Sequence, residues 1–111
     1  MHINIKEPIV NAPKRIAVLG CTGSIGTQTL DIIAAHPELY KATVLAAGTR
    51  VEELIELSLR HRPSLAVIAD EKAWPRLRAA LEPLGIHTAA GAEALADAAA
   101  HSEVDMVVTA T

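Results

Sequence analysis

The residues best suited to chemistry are Gly20-Cys21-Thr22-Gly23-Ser24-Ile25-Gly26, a run with glycines spaced Gly-x-x-Gly-x-x-Gly. At the junction of a strand and a helix such a run does three things that side chains would obstruct. Gly20 lets the chain turn sharply, Gly23 lets backbone amides approach a pyrophosphate, and Gly26 lets the helix pack close to the sheet. The unpaired amides of the first helical turn then face the phosphates, helped by the helix dipole. Thr22 and Ser24 add hydroxyl donors. The plainer alternative is a tight turn that binds nothing. A P-loop is excluded, because Gly26 is followed by Thr27-Gln28 and no lysine is available for a β- or γ-phosphate.

The second candidate lies where a dinucleotide fold meets the adenosine ribose. An NAD-preferring site usually places Asp or Glu at the end of its second strand to hold the 2′-hydroxyl. Here that place reads Ala46-Ala47-Gly48-Thr49-Arg50, with no carboxylate to repel a 2′-phosphate. Thr49 offers a hydroxyl and Arg50 a charged fork, so the expected ligand is NADPH, with a solvated surface arginine as the alternative. The remaining reactive residues point to less. His2, His36, His61, His87 and His101 are widely separated and form no metal-type pair at helical spacing. Cys21 lies beside a helix start, which can lower a thiol pKa, but a small side chain filling a turn is the simpler role. Trp74 reads as a packing residue.

Alternating strands and helices must position these residues. Arg15 to Gly20 is a short apolar run ending on glycine, the pattern of a strand buried on both faces. Ile25, Leu30, Ile33 and Ala34 recur at helical spacing until His36-Pro37. Ala42 to Ala47 predicts a second strand, and Val51, Leu54, Ile55 and Leu59 a helix ending before Pro63. Leu65 to Ala69 predicts a third strand, and Asp70 caps a helix reaching about Leu84, with Pro75 blurring its start. Ile86 to Ala89 predicts a short strand, Ala92 to Ala100 an alanine-rich helix, and Val104 to Thr109 a last strand. Such alternation implies right-handed βαβ units. The expected fold class is α/β, a Rossmann-like parallel sheet with helices on both faces, three layers αβα.

Composition agrees. The chain has 111 residues, enough for one domain, and half of them are hydrophobic although there is no Phe and a single Trp and Tyr. Its core must therefore be Ala, Val, Leu and Ile, which suits helices packed on a parallel sheet. One cysteine excludes an intramolecular disulfide, so a cytoplasmic location is the default. A net charge of -3 without a basic stripe leaves no footprint for nucleic acid or anionic membrane. Residues 1–14 contain Glu7, Pro8 and Pro13 and no long apolar run, so they read as a flexible arm ahead of a domain at 15–111.

Gly20 to Gly26 followed by Thr27-Gln28-Thr29-Leu30-Asp31-Ile32-Ile33 resembles the signature of the 1-deoxy-D-xylulose 5-phosphate reductoisomerases. The resemblance extends from about Lys14 to Thr111 and takes in His36-Pro37-Glu38, Ala47-Gly48, Ala66-Val67 and Val104-Asp105. It implies NADPH contacts from Thr22, Gly23, Ser24 and Ile25, and from Gly48, Thr49 and Arg50. Cys21 departs from the usual Ser, and Thr49-Arg50 from a commoner polar or basic pair. The resemblance also implies an enzyme, likewise a homodimer, that rearranges 1-deoxy-D-xylulose 5-phosphate with a divalent metal, Mn or Mg. It then reduces the product with NADPH to 2-C-methyl-D-erythritol 4-phosphate, in isoprenoid precursor synthesis. The family's acidic metal ligands and nicotinamide contacts fall beyond Thr111, so this chain reads as truncated, with catalytic and C-terminal domains absent and no activity alone. Two alternatives stay open. One is another NADP-dependent reductase with a similar loop, such as an aspartate-semialdehyde dehydrogenase or a dihydrodipicolinate reductase; the other is a stand-alone nucleotide-sensing module.

Overall fold

A computed structural model of the chain describes residues 12–110. It contains five strands, β1 (Lys14–Leu19), β2 (Tyr40–Ala47), β3 (Leu65–Ile68), β4 (His87–Ala90) and β5 (Met106–Thr109). Between them lie four α-helices, α1 (Ser24–Ala35), α2 (Val51–His61), α3 (Trp74–Leu81) and α4 (Ala92–Ala99). The strands form one sheet in the order β4-β3-β2-β1-β5, and every pairing is parallel. The chain therefore works outward from β1 through β2, β3 and β4, then returns through α4 to set β5 on the other side of β1. That reversal makes the junction of β1 and β5 a topological switch point, with a crevice at the carboxyl ends of the strands.

The expected α/β architecture holds, with its helices unequally shared. Leu30 and Ile33 of α1, Leu54 and Ile55 of α2, and Leu77 and Leu81 of α3 pack on one face against Ile16, Val18, Leu45 and Ile68. Among the described residues the other face is covered by α4 alone, through Ala98, Ala94 and Leu95 on Ala17, Val44, Ala46 and Val67. Each fully buried leucine on the first face contributes roughly 2 kcal/mol. Small residues on the second face let a short alanine-rich helix lie close to the strands.

Several expected boundaries and faces shift. Lys14, placed in the arm, opens β1, while residues 1–11 lie outside the described residues. Strand β2 starts earlier than expected, at Tyr40, because the sheet pairs Lys14 with Tyr40 beyond the apolar run. Strand β5 starts later, at Met106. The helix expected from Asp70 to Leu84 is three pieces. Asp70 accepts from the Lys72 amide to cap a 3-10 turn at Glu71–Ala73, α3 begins with Pro75 in its first turn, and a second 3-10 turn spans Glu82–Leu84. Proline lacks an amide proton and so sits at each new start. Ile25 and Ala34 are exposed, so the buried stripe of α1 is Gly26, Leu30 and Ile33. On α2 Ser58 joins Leu54 and Ile55 as a buried residue, with Leu59 exposed.

Candidate functional site

The glycine turn is built from backbone. Gly20 adopts a left-handed φ of 84°, which glycine tolerates without steric cost. Its amide and that of Cys21 both donate to the Ala46 carbonyl, at 2.8 and 2.9 Å, tying the turn to the end of β2. Gly26 packs directly beneath: a Cβ there would stand 2.2 Å from the Gly20 carbonyl oxygen and 2.7 Å from the Cys21 Cα. The close helix–strand approach expected of Gly26 is thus imposed by backbone atoms that cannot move aside.

Gly23 differs. It caps α1 with an ordinary extended conformation (φ −78°, ψ 171°), and a Cβ there would meet only Gly20 O and Ala110 O, at 3.6 and 3.7 Å. The protein itself therefore leaves room for a side chain at Gly23. The Ala110 amide donates to Leu19 O at 2.8 Å, which brings the end of β5 beside the turn and sets Gly23 at the switch point.

The first i→i−4 bond of α1 runs from the Thr27 amide to Gly23 O at 2.9 Å, so the amides of Ser24, Ile25 and Gly26 precede the helical ladder. No side chain caps this end and no acid occupies its first turn. Gly23, Ser24 and Ile25 are exposed and Thr22 half-buried. Ile25 is 58% exposed, unusual for a large apolar residue at a helix start. This end can take an anion, with an apolar side chain beside it. Burial pushes the Cys21 thiol up to about 12, and the side chain is fully enclosed in the core. It fills the turn and is not an activated nucleophile.

Gly48, Thr49 and Arg50 follow β2 and are all exposed, next to the glycine turn through the shared Ala46 contact. A Cβ at Gly48 would meet nothing within 4 Å. Here the structure adds what the linear reading missed. The Arg50 guanidinium is paired with Glu53, Nη1 to Oε1 at 3.2 Å, one helical turn on. No carboxylate ends β2, but α2 brings one back to the same place; the i,i+3 spacing of Arg50 and Glu53 was the available signal. Glu52, the other acid of that turn, is directed away to α3, where Arg76 holds it at 2.7 and 2.9 Å.

Trp74 and His101 make structural contacts. The Trp74 indole donates to Thr88 Oγ1 at 3.0 Å, and the Arg78 guanidinium lies 4.9 Å from the Trp74 ring. His101 Nδ1 accepts from the Glu103 amide, and burial lowers the His61 pKa. His2 lies outside the described residues. Among the described residues no group of three or more His, Cys, Asp or Glu is placed to hold a metal ion, and no helix is long and apolar enough to cross a membrane.

Residues 16–111 match the family model described as 1-deoxy-D-xylulose 5-phosphate reductoisomerase. The chain belongs to this family. A reductoisomerase of Xanthomonas axonopodis pv. citri is 49% identical over 102 residues, covering 90% of this chain and 26% of the relative. One of Pseudomonas putida is 47% identical over 103 residues, covering 91% and 26%. The Zymomonas mobilis reductoisomerase, solved in complex with NADPH, superposes with a TM-score of 0.75 at 40% identity, over 78% of this chain and 23% of that one. A reductoisomerase solved with NADPH, fosmidomycin and magnesium gives a TM-score of 0.81 at 32% identity, over 88% and 24%. The family assignment removes the semialdehyde dehydrogenase and dihydrodipicolinate reductase alternatives. This chain spans about a quarter of the length of the reductoisomerases it matches.

Proposed function

We propose that this chain is the NADPH-binding portion of a 1-deoxy-D-xylulose 5-phosphate reductoisomerase. The carrying observation is the uncapped, acid-free start of α1, set at the switch point beside the glycine turn. The amides of Ser24, Ile25 and Gly26 and the hydroxyls of Thr22 and Ser24 hold the pyrophosphate. Ile25 packs against the cofactor, Gly48 lets the adenosine approach the sheet edge, and Thr49 and Arg50 receive the 2′-phosphate. NADPH supplies hydride when bound; these residues bind and orient it.

We assign the divalent metal of the reductoisomerases to the part of their length that this chain does not match. The whole enzyme converts 1-deoxy-D-xylulose 5-phosphate to 2-C-methyl-D-erythritol 4-phosphate, as a cytoplasmic homodimer without a nucleic-acid partner. The cofactor-binding domain starts at the first strand, Lys14–Leu19. Hydride transfer needs both reactants held in near-attack geometry. The 111-residue chain is therefore inactive by itself.

The test is a chimera in which residues 16–111 replace the matching segment of the Pseudomonas putida enzyme. It should oxidise NADPH in a substrate- and metal-dependent way, while the 111-residue chain alone does not. A folded chimera that binds metal yet fails to bind NADPH would overturn the proposal. So would a chain that senses dinucleotide but cannot support turnover in any such context, which would favour a stand-alone module.

A further inference from the structure

We infer that Glu53 is a second determinant of cofactor choice, setting how strongly Arg50 takes a 2′-phosphate. The inference rests on the dinucleotide site proposed above. Arg50 is not waiting free for a ligand: its Nη1 lies 3.2 Å from Glu53 Oε1, and both side chains are exposed, at 66% and 49%. Glu53 also lines a cleft of about 190 Å³ between α1 and α2, together with Thr22, Thr27, Asp31, Glu56 and Arg60. The cleft thus joins the glycine turn to the Arg50 end of α2, and its ionisable lining is Asp31, Glu53 and Glu56 against Arg60.

A 2′-phosphate taken by Arg50 brings a charge near −2 beside the Glu53 carboxylate. It must draw Arg50 from its carboxylate partner and leave Glu53 uncompensated nearby. A ribose 2′-hydroxyl faces no such cost, and a carboxylate within reach accepts its hydrogen bond. Glu53 therefore narrows the gap between the phosphorylated and unphosphorylated cofactors, doing from the first turn of α2 what an acid at the end of β2 does in NAD-preferring sites. Glu52 does not share the role, since Arg76 on α3 engages both of its oxygens.

The experiment uses the half-cofactors 2′,5′-ADP and 5′-AMP, which report the adenosine end alone. Each is titrated into the 111-residue chain while backbone amide NMR shifts are followed, a readout that tolerates weak binding and shows that each variant is folded. Glu53→Gln keeps the size and removes the charge. It should tighten 2′,5′-ADP by up to about fivefold, the upper end for an exposed ion pair, and leave 5′-AMP unchanged or weaker. The gain should shrink at high salt. Glu53→Lys should move the ratio of the two dissociation constants further in the same direction. Arg50→Ala, run beside them, separates the outcomes. If Arg50→Ala weakens 2′,5′-ADP selectively while Glu53→Gln and Glu53→Lys leave the ratio unchanged, the role of Glu53 is overturned and the site stands. If Arg50→Ala has no selective effect, or neither half-cofactor shifts the amides of Ser24 to Gly26, the site reading fails and the inference with it.

Discussion

Two βα turns lie side by side at the carboxyl edge of this sheet, and they are made in opposite ways. The turn after β1 is backbone throughout: a left-handed glycine, two amides on one carbonyl, and a glycine wedged where a Cβ would collide with main chain. The turn after β2 is exposed side chains, an arginine paired with a glutamate and an open glycine. Their helix starts differ in charge as well. The first turn of α1 holds no acid, whereas that of α2 holds Glu52 and Glu53, which already complement its dipole. An anion shared by all dinucleotides suits the rigid, uncompensated end. A group that distinguishes one dinucleotide from another suits the end where side chains can change partners.

The largest effect belongs to Gly26. Gly26→Val should cost about 3 kcal/mol or more in urea unfolding, because the added atoms meet backbone of Gly20 and Cys21. Full stability in that variant would mean the turn is not rigid. Gly23→Val sharpens the same contrast: its Cβ meets only ordinary contacts, so stability should stay within about 1 kcal/mol. Calorimetric titration should nevertheless show NADPH binding lost, and equal affinity would remove the phosphate from this turn.

A smaller, selective effect belongs to the second turn. Arg50→Ala should weaken NADPH by up to about tenfold, or about 1.4 kcal/mol, and leave NADH unchanged. Exposure and the competing Glu53 keep the value from rising higher. Equal losses for both cofactors would make Arg50 a solvated charge.

The smallest effect lies at the opposite edge of the sheet. There Arg15 binds Asp105 through its guanidinium, at 3.1 and 2.9 Å, and its amide, at 2.9 Å, joining β1 to the start of β5. The Arg15 hydrogen bonds hold the Asp105 carboxyl at about 2, below its ordinary 3.8. A depressed carboxyl stabilises the fold above its unfolded value and stops doing so as pH falls through its folded one. Stability from this pair should therefore be complete above about pH 4 and be lost toward pH 2, within the span of those two values. Asp105→Asn should flatten that part of an acid titration followed by circular dichroism, without changing cofactor affinity. An unchanged acid limb would show that the pair contributes nothing.

Much of this was legible in the residue order. The glycine spacing and the apolar runs placed the turn between β1 and α1 because close packing and a positive φ demand residue types that few others can replace. Boundaries were less legible where pairing extended a strand past its apolar core, as at Tyr40, or where proline broke one expected helix into three. Helical spacing groups Ile25 with Leu30 and Ile33, yet Ile25 is exposed, since a 3.6-residue period does not say which end of the stripe runs past the edge of the sheet.

By itself, the sequence determined the α/β class, the glycine turn and the absence of an acid at the end of β2, all of which rest on local chemistry and short-range periodicity. Only the tertiary structure decided the strand order, and with it the switch point that brings Ala110 beside Gly23. It also decided that Glu52 reaches Arg76 on α3 while Glu53, which lines the cleft, stays with Arg50. The physical reason is that strand order and ion-pair partners across helices are set by which elements pack together, and periodicity within one element carries no record of its neighbours.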